Sequence, residues 1–238
     1  MKINADYHTH TIYSHGKGTP EQNVIAAIER GLKRVAITEH APKHFLFGVG
    51  NERLRQLRRE VDELNRRYAN DIEVLFGLEC NLIGDGICDA PADVSAADLL
   101  LLGFHRAFIP RDRATWRIYM RYGRDLAKSL AKAIVRTLEN YPIKIIAHPG
   151  EYMKVDIPTL ATGASQMGVL LELNGSHMSM SFDDIKAAAK HGAEFIINSD
   201  AHRPERVGVF GDAPDCAIEA GVEKLIANAD TYEGKLRF

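Results

Sequence analysis

Three cysteines, one tryptophan and a formal net charge of −2 are spread over 238 residues, and these scarcities remove several classes of protein from consideration. Cys80, Cys88 and Cys216 are odd in number and far apart, so no disulfide framework is expected and a reducing cytoplasm suits the chain. A nearly balanced charge offers no electrostatic reason to expect nucleic acid or an anionic membrane as a partner. No apolar run approaches the roughly 20 residues a helix needs to cross a bilayer, so no membrane partner is expected either. Heptads, low-complexity tracts and Gly/Ser linkers are missing, and the length suits one α/β barrel, so residues 1–238 read as one domain. Met1 to Asp6 run directly into a polar motif and leave no room for a signal peptide.

Histidine, in contrast, recurs in a pattern. Eight histidines, Glu79 and Asp200 fall near the ends of hydrophobic runs that otherwise carry almost no charge. They occur as Asp6-Tyr7-His8-Thr9-His10 with His15 downstream, Glu39-His40, Gly77-Leu78-Glu79, Gly103-Phe104-His105, His148-Pro149-Gly150, Asn174 to His177, and Ser199-Asp200-Ala201-His202. Side chains two residues apart on a strand share a face, so His8 and His10 can bind one ion together. One histidine at a strand end is usually a hydrogen-bonded surface or core residue. Six of seven expected strands ending in His, Glu or Asp is a different matter, because ligands in βα architectures gather at the carboxyl ends of parallel strands.

The runs between these residues alternate in character. Thr19-Pro20-Glu21-Gln22 supplies a helix cap, a first-turn proline and a capping-box glutamine, and Val24, Ile25, Ile28 and Leu32 mark the apolar face of the helix that follows. A second amphipathic helix spans Glu52 to Ala69 and the longest runs from Trp116 to Asn140, its basic stripe read as a solvated face. Shorter helices are expected around 157–167, 181–191 and 213–220. Buried strands are expected at Arg34 to Thr38, Ile72 to Phe76, Asp98 to Leu102, Lys144 to Ala147, Val169 to Leu173 and Glu194 to Asn198, with Gly84-Asp85-Gly86 as a hairpin turn. Strand–helix repetition to seven strands implies parallel order, right-handed crossovers and an irregular or incompletely closed α/β barrel.

With those positions assembled, the chain resembles the PHP (polymerase and histidinol phosphatase) family, particularly its small stand-alone phosphoesterases, from Asp6 to beyond His202. The resemblance implies a distorted (βα)7 barrel holding three divalent metal ions. It implies His8, His10, Glu79 and Asp200 around one ion, Glu79, His105 and His148 around a second, and His15, His40 and His202 around a third, so that Glu79 bridges two. Glu39 stands where the family commonly has aspartate. Mixed oxygen and nitrogen ligation suits zinc, manganese or iron. Mostly neutral imidazoles would leave such a site positively charged and suited to phosphate, and a metal-activated water could attack phosphorus in line. The expected activity is hydrolysis of a small phosphorylated metabolite, with Glu79, Asp200 and His202 as its catalytic residues; a metal-dependent amide or deaminating hydrolase and a non-catalytic metal-binding module are the alternatives.

Several further residues are candidates for substrate contact. Lys17, Arg106 and Arg203 neighbour ligand positions and could reach a phosphate, or could simply be solvated. His177 could touch phosphate or leaving group, or make a structural hydrogen bond. Asp6 is expected to orient a ligating histidine. Phe45, Leu46 and Phe47, beside His44 in Ala41 to Gly50, suggest a lid or an apolar loop on the barrel rim. His191 is expected to serve a helix C-terminus.

Overall fold

The capping box forms as its residues require: Thr19 accepts from the Gln22 backbone N–H at 3.2 Å, and Gln22 Oε1 accepts from the Thr19 N–H at 2.9 Å. It opens the first helix of a computed structural model that describes residues 1–105, 109–120 and 126–236. The strands are β1 (Ala5–Asp6), β2 (Arg34–His40), β3 (Glu73–Gly84), β4 (Ile87–Cys88), β5 (Leu99–Gly103), β6 (Ile145–Ile146), β7 (Leu170–Asn174) and β8 (Phe195–Asn198). The helices are α1 (Pro20–Glu29), α2 (Asn51–Arg67), α3 (Arg113–Met120), α4 (Ala127–Asn140), α5 (Ile157–Met167), α6 (Phe182–Lys190) and α7 (Ala213–Ala220). Seven strands run in parallel in the order β1-β2-β3-β5-β6-β7-β8, and β4 folds back on β3 in an antiparallel hairpin across the expected turn. This is the distorted (βα)7 barrel. Among the described residues no helix is long and apolar enough to cross a membrane.

Side-chain parity divides the core in two. Leu99 and Leu101 of β5, Ile145 of β6, Leu170 of β7 and Ile196 of β8 pack together inside the barrel. Their neighbours Leu100, Leu102, Ile146, Leu171 and Ile197 pack outward against the helices, with Val24 of α1 and Leu54, Leu57, Val61 and Leu64 of α2. Two residues further along each inward face the apolar layer gives way to polar side chains. Glu79 follows Leu75 and Gly77, Glu172 and Asn174 follow Leu170, and Asn198 follows Ile196; all four polar residues are buried.

The seam between β1 and β8 is where the barrel is distorted. Thr9 and Ala201 form a single parallel bridge there, with the His10 N–H donating to the Ala201 carbonyl at 2.8 Å. The Ala201 N–H donates back to the His8 carbonyl (3.3 Å) and the Lys17 N–H to the His202 carbonyl (2.9 Å), and side chains add to the closure. The Tyr7 N–H donates to Asn198 Oδ1 (2.9 Å), and Asp6 accepts from the Ser199 N–H (3.0 Å), the Ser199 hydroxyl (2.5 Å) and the Gly208 N–H (2.9 Å). Asp6 therefore ties the seam and, by accepting from the His8 N–H at 3.4 Å, holds that ligand candidate through its backbone, its ring being held by Glu172.

Three local expectations change. Glu79 lies in the middle of β3 because that strand continues past the barrel into its hairpin with β4. The helix expected from Trp116 to Asn140 starts earlier, at Arg113 in α3, and ends with α4 at Asn140, residues 121–125 lying outside the described residues. Ile25, placed on the buried face of α1, is exposed, and Asn23 and Ala27 are buried instead.

Candidate metal centre

One carboxylate is ringed by five imidazoles. Glu79 Oε1 lies 2.9 Å from His148 Nε2, 3.2 Å from His105 Nε2 and 3.5 Å from His8 Nε2; Oε2 lies 3.1 Å from His40 Nδ1 and 3.4 Å from His10 Nε2. The inward face of β3 brings Glu79 to this point, and the ends of β1, β2, β5 and β6 bring the histidines. Space is tight enough that glycine is required alongside: a methyl group on Gly103 would meet His105 Cε1 at 2.8 Å and both Glu79 Oε1 and His148 Cε1 at 3.2 Å. Among the described residues the only non-glycine residues with left-handed φ are His148 (30°) and Asp200 (52°), a conformational cost concentrated at candidate ligands.

The donor spacing fits cations. A tetrahedral ion with ligands at about 2.0–2.2 Å separates them by about 3.3–3.6 Å. His8 Nε2 and His10 Nε2 are 3.2 Å apart, and each is 3.5 Å from Asp200 Oδ1, so with Glu79 these atoms outline one coordination shell. Asp200 Oδ1 is buried without a hydrogen-bond partner, as is His40 Nδ1, the atom that faces Glu79, which is the condition expected of cation ligands. Glu79, His105 and His148 form a second group within ligand reach of one another. His15 and His202 face each other, Nε2 to Nε2, at 2.6 Å and group with His10; His40 groups with His44 and His105 while its ring stacks on that of His15 at 4.9 Å.

Outer partners hold the ligand tautomers. The His8 Nδ1–H donates to Glu172 Oε1 (2.8 Å), the His105 Nδ1–H to Asn81 Oδ1 (2.6 Å) and the His202 Nδ1–H to the Asp200 carbonyl (2.9 Å), leaving each Nε2 lone pair free for a cation. Glu172 also accepts from the His148 N–H and from the side-chain amides of Asn174 and Asn198. Neither Glu172 nor Asn81 stands out in the sequence reading. The available signal was a lone acid two residues beyond an inward leucine. Glu39 accepts from the Thr11 N–H (2.8 Å) and from the Thr11 and Ser14 hydroxyls, and lies 3.8 Å from His10 Nδ1, so it supports the loop beneath the ligands.

Electrostatics sort the histidines into two sets. Burial pushes His15 down to about 3, His44 down to about 4 and His40 well below its ordinary value, so these imidazoles are neutral donors. Burial opposes charge on His8, His10 and His148 as well. Asp200, Glu172 and Glu79 nonetheless raise His8 well above its ordinary value, Asp200, Glu39 and Glu79 do the same for His10, and Glu79 raises His148 to about 9. Burial would likewise raise the Glu79 carboxyl, but His105, His8 and His40 hold it well below the usual range. A cation must therefore displace protons. Its binding near neutral pH is expected to release protons and to weaken as pH falls, with the His148 contribution disappearing above about pH 9. Calorimetric titration in buffers of differing ionisation enthalpy measures this directly, and proton-neutral binding at pH 7 would contradict it.

Above the cluster lies a cavity of about 380 Å³ whose wall includes His44, Phe47, Glu151, Tyr152 and His177 besides the ligand candidates. The loop after β2 supplies two of these. His44 Nδ1 accepts from the Phe47 N–H at 3.0 Å, and the Phe47 ring stacks on His15 at 4.2 Å, while Phe45 and Leu46 are exposed. Of the expected substrate contacts, His177 lines the cavity. Lys17 and Arg203 are exposed and do not line it, and Arg106 lies outside the described residues. His191 is the C-cap of α6 and lies 3.2 Å from the Thr162 hydroxyl.

Comparison with known proteins places this geometry among relatives. The family model of the PHP domain matches residues 6–200. A probable phosphatase of Shewanella oneidensis is 31% identical over 95% of this chain and 88% of the relative; one of Thermoanaerobacter sp. (strain X514) is 29% identical over 100% and 94%. The crystal structure of histidinol phosphate phosphatase from Lactococcus lactis, complexed with zinc, L-histidinol and phosphate, superposes with a TM-score of 0.63 at 16% identity, covering 92% of this chain and 94% of that one.

Proposed function

The chain belongs to the PHP domain family, and from that premise we propose that it is a metal-dependent phosphatase that hydrolyses a small phosphorylated metabolite at a site for three divalent cations. The observation that carries this reading is the Glu79 carboxylate surrounded by five imidazoles. In this assignment His8, His10, Glu79 and Asp200 hold one cation, and Glu79, His105 and His148 hold a second. His15, His40 and His202 serve the third, with His10 close to it. Glu79 bridges two. Zinc, manganese and iron all suit this mixed donor set.

Divalent cations bound there supply Lewis acidity, which acidifies a water and offsets the charge of a phosphoryl group. The residues of the chain do the rest. Glu172, Asn81 and the Asp200 carbonyl keep three imidazoles turned inward, and the mostly neutral ligand set leaves the loaded site net positive and attractive to a phosphate dianion. A cavity of about 380 Å³ matches a small metabolite in size. The names of the Shewanella and Thermoanaerobacter relatives, and the phosphate in the Lactococcus complex, support the same chemistry.

The test is phosphate release from a panel of histidinol phosphate, sugar phosphates, nucleotides and a chromogenic diester, using zinc-, manganese- and iron-loaded protein of measured metal content. Metal-dependent release from small monoesters is expected. No release from protein shown to carry its cations would refute the enzymatic reading and return the chain to a metal-binding role.

A further inference from the structure

An alkyl phosphate cannot expel its alcohol easily unless the departing oxygen receives a proton, and the residues nearest the cations are occupied as ligands. Of the two remaining histidines in the cavity wall, His44 is unsuited to the task. Its Nδ1 accepts the Phe47 N–H, so its proton sits on Nε2 of a neutral ring, which can donate a hydrogen bond but is a very weak acid.

His177 is held differently. Its Nδ1 lies 3.1 Å from Glu151 Oε1, so the Nδ1–H points at a carboxylate and Nε2 is left free, while Glu151 Oε2 lies 3.5 Å from Nδ1 of the ligand candidate His148. The ring is 45% exposed, at the mouth of the cavity where a leaving alcohol departs and where solvent can return a proton. Its backbone is fixed to the buried centre. Asn174 Oδ1 accepts from the Ser176 and His177 N–H groups (2.9 and 2.8 Å), and Asn174 Nδ2 donates to Glu172 (2.8 Å) and to the ligand candidate Asp200 (3.2 Å). The Ser176 hydroxyl donates to the Ser199 carbonyl at 2.7 Å, and Gly175 packs so closely on Phe210 that an added Cβ would lie 2.7 Å from its backbone. One amide thus fixes the position of the His177 turn relative to Asp200.

We propose that His177, oriented by Glu151, is the general acid that protonates the leaving-group oxygen; the assignment rests on the phosphatase reading above. As water oxygen forms its bond to phosphorus, the electron pair of the P–O ester bond passes to the alcohol oxygen, which takes the proton from His177 Nε2. The proton released by the attacking water restores the imidazolium through solvent. The products are the alcohol and inorganic phosphate, with no net proton consumed by the protein.

The experiment compares a poor and a good leaving group, glycerol phosphate and p-nitrophenyl phosphate, on cation-loaded wild type, His177→Gln and Glu151→Gln. His177→Gln is expected to lower kcat/KM for the alkyl ester by about 10²–10³ while leaving the aryl ester, whose phenolate departs without a proton, close to wild type. Glu151→Gln should show the same selectivity at smaller size. Metal content and melting temperature should be unchanged in His177→Gln. Equal losses on both esters, or none, would overturn the assignment and leave His177 a binding or structural residue. A wild-type protein inactive on both esters would instead overturn the phosphatase reading, and this proposal with it.

Discussion

Glu79→Ala is expected to strip the centre of its cations and abolish metal-dependent phosphate release. The change removes both oxygens that five imidazoles share, so its effect should exceed the roughly 10–100-fold typical of losing an outer partner of a metal ligand. It also removes one of the two counter-charges that His8, His10 and His148 share, leaving Asp200. Elemental analysis of the purified variant, alongside phosphate release, measures both consequences. Wild-type turnover in Glu79→Ala would refute the ligand assignment altogether.

Glu172 is the second position of large expected effect, although it lies outside the proposed coordination shells. It is fully buried, and its two oxygens accept from the His8 ring, the His148 backbone and the side-chain amides of Asn174 and Asn198. Glu172→Ala leaves these donors facing a void and is expected to cost about 3–5 kcal/mol of stability, the range for breaking a buried charged pair from one side. Denaturant unfolding of the metal-free protein measures it. Glu172→Gln retains the shape but presents an N–H where an acceptor is needed, and a cation affinity about 10–100-fold weaker is expected by competition with a chelator. Burial opposes the Glu172 charge, yet His8 holds its carboxyl below the ordinary range. The stability it contributes is therefore complete above that ordinary range and is lost as pH falls through the depressed value. A Glu172→Ala variant with wild-type stability and affinity would show that Asn174 and Asn198 hold the ligands without it.

The reach of the sequence follows from these same residues. Strand-end histidines were legible because a charged or polar group that ends an apolar run needs a reason, and seven such endings share one. The Thr19 capping box and the Gly84–Gly86 hairpin were legible because both are local chemistry. Glu172 was not, because a single acid between leucines does not say which face of β7 lines the barrel. That answer depends on Ile145 and Ile196, strands away. Asn81 was hidden in the same way, since its role is defined by His105, 24 residues later. Asp6 was expected to orient a ligating histidine; it meets the His8 backbone, but its contacts with Ser199 and Gly208 belong to a seam that only closure of the barrel creates. His44 was visible as part of a loop, but its approach to His40 and His105 depends on how that loop folds over the rim.

That seam bears on the order of events in the cell. Tyr7 reaches Asn198 across 191 residues and Asp6 reaches Ser199 across 193, so the first strand remains unpaired on its outer side until the last strand has emerged from the ribosome. A nascent chain presents His8, His10, His15 and His40 long before Asp200 and His202 exist. Glu79 follows them early, but Asp200, whose Oδ1 lies 3.5 Å from both His8 and His10, comes only with the last strand. The proposed shell of His8, His10, Glu79 and Asp200 is thus assembled only when the barrel closes, so its donors come together as a product of the last folding step.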